Sequence, residues 1–296
     1  MKRPKHSDDD AKAWVAAFAQ AMPHGTLSPE LEDRLTALWL KDKRLWSSRP
    51  DTAAANLRAL ARGLSVPLSK VLSMACRTPN HFYQRPDATI ERVGALAKTL
   101  SVTRAQFTQM SGASGGLLQS EPGTVARRIT DTAAALDITE DAYRALCLKQ
   151  PSLLNMDPAS IHRRACASAQ LFETTLEDFL DLARKSPALL ARDPASLKAF
   201  RDDLATRLKL SDADMLRLIR KQPRLTTQNP ATLAKTLNRF AEGLAIDRAT
   251  ASAMALKFPP LLYLDPEQAL KRLNEAAARV SMSPQDMHAI AVRMPT

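Results

Sequence analysis

Six basic residues recur at one position of a 36-residue period, and their side chains could contact phosphates. They are Arg77, Lys149, Lys185, Lys221, Lys257 and Arg293. If equal positions in stacked repeats line up, neighbouring cations lie about 10 Å apart, one helix diameter. Such a row, called the basic ladder below, could follow a phosphate backbone and release its counterions. The alternative is that each cation complements a helix C-terminus, which contributes about 0.3–1 kcal/mol.

A second basic set occupies two adjacent positions in the first helix expected for each repeat. Its members are Arg92, Arg127, Arg128, Arg163, Arg164, Lys235, Lys271 and Arg272. This face could bind phosphates, or it could be an ordinary solvated helix face. The more variable first-helix residues could read bases if there is a base code, for example Asn56, His162, Phe200 and Thr236.

No pattern typical of catalysis or of metal binding accompanies these cations. HExxH, GxSxG, Walker and zinc-ligand spacings are absent, and the five histidines are scattered. The three cysteines lack CxxC spacing, which indicates free thiols in a reducing compartment. His81, Phe82 and Tyr83 could stack on a base, but packing of the aromatic rings in the core is the favoured expectation. We therefore expect no enzymatic activity, no metal and no cofactor.

The overall charge favours a polyanionic partner. The formal net charge is +11, from 42 basic and 31 acidic residues. This excess is compatible with nucleic acid or with an anionic membrane surface. No apolar run reaches the 18 or so residues of a membrane span. Residues 1–10 resemble neither a signal nor a transit peptide, so we expect a disordered tail there and a cytoplasmic monomer, although delivery into a host cell is also compatible.

The prolines divide the chain into repeats. One series, 36 residues apart without a slip, consists of Pro50, Pro86, Pro122, Pro158, Pro194, Pro230 and Pro266. A second series consists of Pro79, Pro151, Pro187, Pro223, Pro259 and Pro295. This constant register predicts a repeat protein of seven units over residues 43–296.

One repeat, residues 187–222, shows what each unit builds. Asp193 and Pro194 are typical of a helix start, and Ser211 predicts the cap of a second helix. Leu189 and Leu190 predict a short buried turn between the second helix and the next first helix. One first-helix position is always alanine, which predicts close helix packing: Ala61, Ala97, Ala133, Ala169, Ala205, Ala241 and Ala277.

Two regions depart from this pattern. Residues 11–42 predict two helices that cover the first apolar face of the array. The sequence SGASGG replaces a helix end near residue 111, and we expect a kink over residues 111–123. A glycine-rich phosphate cradle is the alternative there, but it lacks the lysine and the preceding strand that such loops use.

The repeat resembles the mTERF repeat of the mitochondrial transcription termination factor family. The resemblance rests on Pro187, Leu189, Leu190, Pro194, Leu197, Leu204, Leu208, Leu210, Ser211 and Pro223, with their counterparts from Pro151 onward. It covers about half of the chain well. It implies a left-handed solenoid of two helices and a short 3₁₀ helix per repeat, with a basic groove that binds nucleic acid. The strict period and the lack of an organellar transit peptide favour a bacterial relative or look-alike.

The sequence thus predicts an all-α protein, an α-solenoid of seven repeats behind an N-terminal helical cap. It predicts binding to DNA or RNA through a basic surface. The alternative function is a protein-interaction scaffold, such as a bacterial effector or adaptor, whose positive charge only aids solubility.

Overall fold

The computed structural model describes residues 7–23, 25–111 and 117–294, and it is helical throughout these ranges apart from turns. It divides into two compact units, Met1–Met156 and Asp157–Thr296. Within the described ranges, none of the helices has the length and apolar character needed to cross a bilayer.

The first unit contains two leading helices and the first three repeats. Its α-helices are α1 (Asp8–Gln20), α2 (Pro29–Lys41), α3 (Pro50–Leu64), α4 (Leu68–Arg77), α5 (Asn80–Tyr83), α6 (Pro86–Thr99), α7 (Arg104–Ser111), α8 (Pro122–Ala135) and α9 (Glu140–Lys149). Two 3₁₀ turns, Leu117–Gln119 and Pro151–Asn155, complete it.

The second unit repeats the same order four times, ending with a helix pair. Its α-helices are α10 (Pro158–Leu171), α11 (Leu176–Lys185), α12 (Ala188–Ala191), α13 (Pro194–Leu208), α14 (Asp212–Lys221), α15 (Pro230–Gly243), α16 (Arg248–Lys257), α17 (Pro266–Arg279) and α18 (Pro284–Arg293). The 3₁₀ turns are Pro223–Thr227 and Pro259–Tyr263. The predicted helical-repeat solenoid is confirmed, and every first helix begins at a proline of the first series.

The helix starts use the predicted caps in the second unit. The Asp193 carboxylate accepts the backbone N–H of Ser196 at 3.2 Å, which satisfies an otherwise unpaired donor at the start of α13. Ser211 accepts the N–H of Asp214 at 3.1 Å and donates its hydroxyl to that carboxylate at 2.8 Å. Ser211 and Asp214 therefore each accept a hydrogen bond from the other. The Asp214 carboxylate accepts it from the Ser211 hydroxyl and not from the Ser211 backbone N–H.

The invariant alanine closes the turn between the two helices of each repeat. In the fifth repeat, the Ala205 carbonyl accepts the N–H of Leu210 at 3.0 Å, and Lys209 between them has a φ of 52°. The same bond and a left-handed residue recur in every repeat, at Ser65, Ser101, Asp137, Glu173, Lys209, Ala245 and Ser281. These are the bonds of a Schellman motif. All seven alanines are buried, so the prediction of close packing at this position is confirmed.

Successive first helices pack closely within each unit. In the second unit α13 contacts α15, and α15 contacts α17. A Cβ at Gly243 would clash with the end of the Leu270 side chain, so glycine leaves room for the leucine in its present position. Leu189 and Leu190 of the short turn are fully buried, as the sequence predicts.

The helices α1 and α2 precede the first repeat, and the structure corrects the sequence prediction at the start of α1. α1 packs against α3, and Trp14 and Phe18 make edge contacts with the Phe82 ring. The prediction of a disordered tail is wrong for residues 7–10, because Ser7 caps α1 and three aspartates form its first turn. Residues 1–6, and residues 112–116 of the predicted kink, lie outside the described part of the chain.

His81 occupies the place of a core leucine. It is 1% exposed, and neither ring nitrogen has a hydrogen-bond partner among the described residues. The equivalent positions in other repeats hold Leu117, Leu153 and Leu189, which are all buried. Burial chiefly, and the nearby Arg92 charge, lower the pKa of His81. His81 and the fully buried Phe82 therefore pack in the core and do not present a stacking surface for a base.

Replacing Ala245 by glycine should raise the free energy of unfolding by about 0.5–1 kcal/mol. Residue 245 has a φ of 53°, which glycine adopts without steric cost. The matched control is Ala253→Gly, an exposed position inside α16, which should lower stability by a similar amount. Urea denaturation of both variants checks the signs, and a less stable A245G would contradict the left-handed geometry.

Replacing His81 by leucine should raise the free energy of unfolding by about 1–3 kcal/mol, because it removes two unpaired buried nitrogens. Burial lowers the pKa of His81 in the folded chain, so the unfolded chain binds the proton more readily and wild-type stability falls as the pH drops below about 6.5. The variant should lose this part of the pH dependence. Thermal unfolding at pH 5 and pH 8 measures both effects, and a destabilised H81L would show that His81 has a partner.

Candidate nucleic-acid interface

Each residue of the basic ladder is the last residue of a second helix. α4, α9, α11, α14, α16 and α18 all end at their ladder residue, and all six side chains belong to exposed residues. The helices stop there because a proline follows two positions later, and the residue before a proline is disfavoured in the α conformation. Gln222, for example, leaves the helix with a φ of −135°. Position 113, the vacant place in the series, lies outside the described residues.

In the second unit the ladder is not neutralised by acidic neighbours. Among the described residues, Lys185, Lys221 and Lys257 have no carboxylate oxygen within 4 Å. Other surface cations do pair, such as Lys198 with Asp202 at 2.6 Å. The ladder therefore carries uncompensated positive charge in three successive repeats.

One contact shows that neighbouring ladder positions come together. Lys221 Nζ donates to the carbonyl oxygen of Leu256 at 3.0 Å, and Leu256 directly precedes Lys257 in the last turn of α16. Lys221 thus complements the C-terminal end of the next repeat's second helix. An ammonium group has three N–H donors, so this bond leaves donors for a phosphate. In the first unit, Arg77 Nε donates to the Ser73 carbonyl at 3.3 Å.

The second basic set separates into two groups with different surroundings. Half-buried arginines at the inner position each donate to the short turn that follows. Arg128 reaches the Leu154 carbonyl at 3.1 Å, and Arg164 reaches the Ala191 carbonyl at 2.8 Å. Arg92 likewise reaches Gln119 Oε1 at 3.2 Å, and Asn56 at the same position reaches the Phe82 carbonyl at 3.0 Å. These side chains position the turns, a role that the sequence analysis did not anticipate.

The outer position carries the accessible cations of this set. Arg127, Arg163, Lys235 and Lys271 are exposed, and so is Arg272 at the last inner position. Arg163 donates to the Ser160 hydroxyl at 3.0 Å within its own helix. No carboxylate among the described residues forms an ion pair with Lys235 or Lys271.

Most of the residues suggested for base readout are buried or half-buried in the fold. Phe200 is buried under the Arg192 guanidinium, whose carbon lies 5.6 Å from the ring centroid, which excludes it from base contact. His162 and Thr236 are half-buried. Sequence reasoning missed Arg224, an exposed cation three residues after Lys221. The repeat pattern did not point to Arg224, because the equivalent positions in the other turns do not hold basic residues.

Among the described residues, the thiols are buried or half-buried, and one of them lies near a histidine of its own helix. Cys147 is buried, and burial raises the pKa of its thiol to about 12, so it stays protonated. Cys166 Sγ lies 3.5 Å from His162 Nε2, one helical turn away. Within the described ranges, no group of three or more potential metal ligands comes together.

Comparison with known proteins agrees with this architecture. Residues 50–276 match the family model of mTERF, from the start of the first repeat to the first helix of the last. The family consists of non-enzymatic helical-repeat proteins and is generally associated with nucleic-acid binding. No curated protein matches the chain significantly.

Replacing Arg164 by methionine should lower the free energy of unfolding by about 1–3 kcal/mol, because the Ala191 carbonyl loses its partner. The control is Arg163→Met, one residue away and exposed, which should change stability by at most about 0.5 kcal/mol. Chemical denaturation compares the two. If both substitutions change the free energy of unfolding equally, Arg164 does not hold the turn.

Proposed function

Because the chain belongs to the mTERF family, we propose that it binds DNA or RNA by gripping the phosphate backbone with the basic ladder. The protein acts as a binding module and catalyses no reaction. Its excess of positive charge supplies the attraction, and the repeated helix ends supply the regular spacing.

The observation that carries this proposal is the row of exposed cations at the ends of successive second helices. In the second unit these are Lys185, Lys221, Lys257 and Arg293. A helix dipole favours a cation anywhere in the last turn, as Arg184 and Arg220 illustrate. It does not require the same terminal position in repeat after repeat, whereas contact with a regular polyanion does.

The accessible first-helix cations add positive charge at a second regular position of the repeats. Arg127, Arg163, Lys235 and Lys271 are the members that we assign to phosphate contact. The inner arginines primarily hold the short turns, and a guanidinium that donates one N–H still has further donors. Since contacts of this kind carry no base information, affinity should depend strongly on salt and weakly on sequence.

The test is a salt titration of wild-type protein and a triple variant, K185Q/K221Q/K257Q, on single-stranded and duplex DNA and RNA. If each lysine contacts one phosphate, the slope of log K against log salt on a duplex becomes shallower by about 3. Affinity should fall for all sequences alike. Circular dichroism and thermal unfolding confirm that the variant is folded.

The matched control is K209Q/R217Q/R279Q, which removes the same charge from exposed positions of the second unit outside the ladder. For this control variant, the slope of log K against log salt should stay close to that of the wild-type protein. If both triple variants lose affinity equally, overall charge and not the ladder is responsible. If the wild-type protein binds no nucleic acid at low salt, the proposed function is wrong.

A further inference from the structure

The last helix pair of the second unit, α17 and α18, carries an open apolar groove. Its volume is about 470 Å³, and its lining includes Leu273 and Ile290 of this pair together with Met254, Phe258 and Leu261 of the preceding repeat. Several of these side chains are unusually accessible for apolar residues: Ile290 is 40% exposed and Met294 is 66% exposed. The groove lies on the same helix faces that join repeats elsewhere in the unit.

In the preceding repeat, the residues equivalent to Ile290 and Leu273 are covered by the short turn that follows. Met254, which precedes Ile290 by one period, is 3% exposed, and Leu237, the counterpart of Leu273, is fully buried. These residues belong to α15 and α16, which both pack against the turn Pro259–Tyr263. The groove is therefore a continuation of the interface between repeats.

In each earlier repeat of the unit a short turn packs on that interface, with two leucines in the turns after Pro187 and Pro259 and with Leu225 and Thr226 in the turn after Pro223. α10 and α11 pack against α12, and α13 and α14 pack against the turn Pro223–Thr227. Where the turn follows a proline with two leucines, both leucines are buried, as in Leu189–Leu190 and Leu261–Leu262. This chain thus shows repeatedly which kind of segment such a face accepts.

A polar contact accompanies the leucines. Arg164 donates to the carbonyl of Ala191, the last residue of α12, at 2.8 Å, and Arg128 makes the same kind of bond to Leu154 at 3.1 Å. Arg272 occupies the same position in α17, lines the groove and is exposed. The groove therefore offers an apolar seat for two leucines and a donor for the carbonyl that ends the turn.

We propose that this groove binds a proline-led helical turn with two adjacent leucines, presented by another polypeptide. Arg272 binds a carbonyl at the end of that turn, and the leucines lie against Leu273 and Ile290. This interaction uses α17 and α18 and does not depend on phosphate contacts, so it can succeed or fail independently of nucleic-acid binding.

The test uses a fluorescent peptide with the sequence of residues 187–208, which this chain itself places on such a face, and the full-length protein. The control peptide carries serine in place of Leu189 and Leu190. Fluorescence anisotropy should show binding of the leucine peptide at least about ten-fold tighter than the control, because the serine side chains bury far less apolar surface in the groove. Equal affinity of the two peptides would overturn the proposal.

Protein variants locate the site. Ile290→Glu and Arg272→Met should each weaken the leucine peptide about ten-fold or more, whereas Val280→Glu should not. Val280 is 61% exposed but lies outside the groove, so V280E controls for the added negative charge and for the loss of exposed apolar surface. An unchanged affinity in I290E would show that the peptide binds elsewhere. Sedimentation that finds a dimer in the wild-type protein and a monomer in I290E would show that a second copy covers the groove, which also overturns the proposal.

Discussion

The hydrogen bond from residue 210 to the invariant alanine at 205, with its counterparts, sets the geometry on which each repeat depends. It closes a turn with one left-handed residue and so fixes the angle between the first and second helix. Because the same turn recurs in every repeat, the second helices of one unit present equivalent residues in equivalent surroundings. The cations at the ends of these second helices therefore lie at equivalent places of successive repeats.

The cations of the protein serve two purposes that sequence alone does not separate. The inner arginines, Arg128 and Arg164 among them, hold a short turn by donating to its carbonyl oxygen. The ladder residues lie at helix ends, where they complement the dipole and remain accessible. These uses are compatible, since a cation that stabilises a helix end in the free protein can still meet a phosphate.

The sequence predicted the features that depend on residue type and spacing. Prolines at Pro194 and Pro223 mark where helices start and stop, and the fixed alanine indicates close packing. It did not predict the left-handed residues, because none of the seven is glycine. It could not assign Arg164 to a turn, since its acceptor is a backbone carbonyl that any residue could supply. His81 was ambiguous for a similar reason, as a buried and an exposed histidine look alike in sequence.

The most direct test of the ladder is lysine footprinting of the wild-type protein with and without bound nucleic acid. An amine-reactive reagent modifies exposed lysines, and mass spectrometry reports the extent at each position. We expect strong protection of Lys185, Lys221 and Lys257, whereas Lys209, which follows the C-terminal end of α13 and lies outside the ladder, should be modified as in the free protein. Unchanged modification of the three ladder lysines in a saturated complex would contradict it.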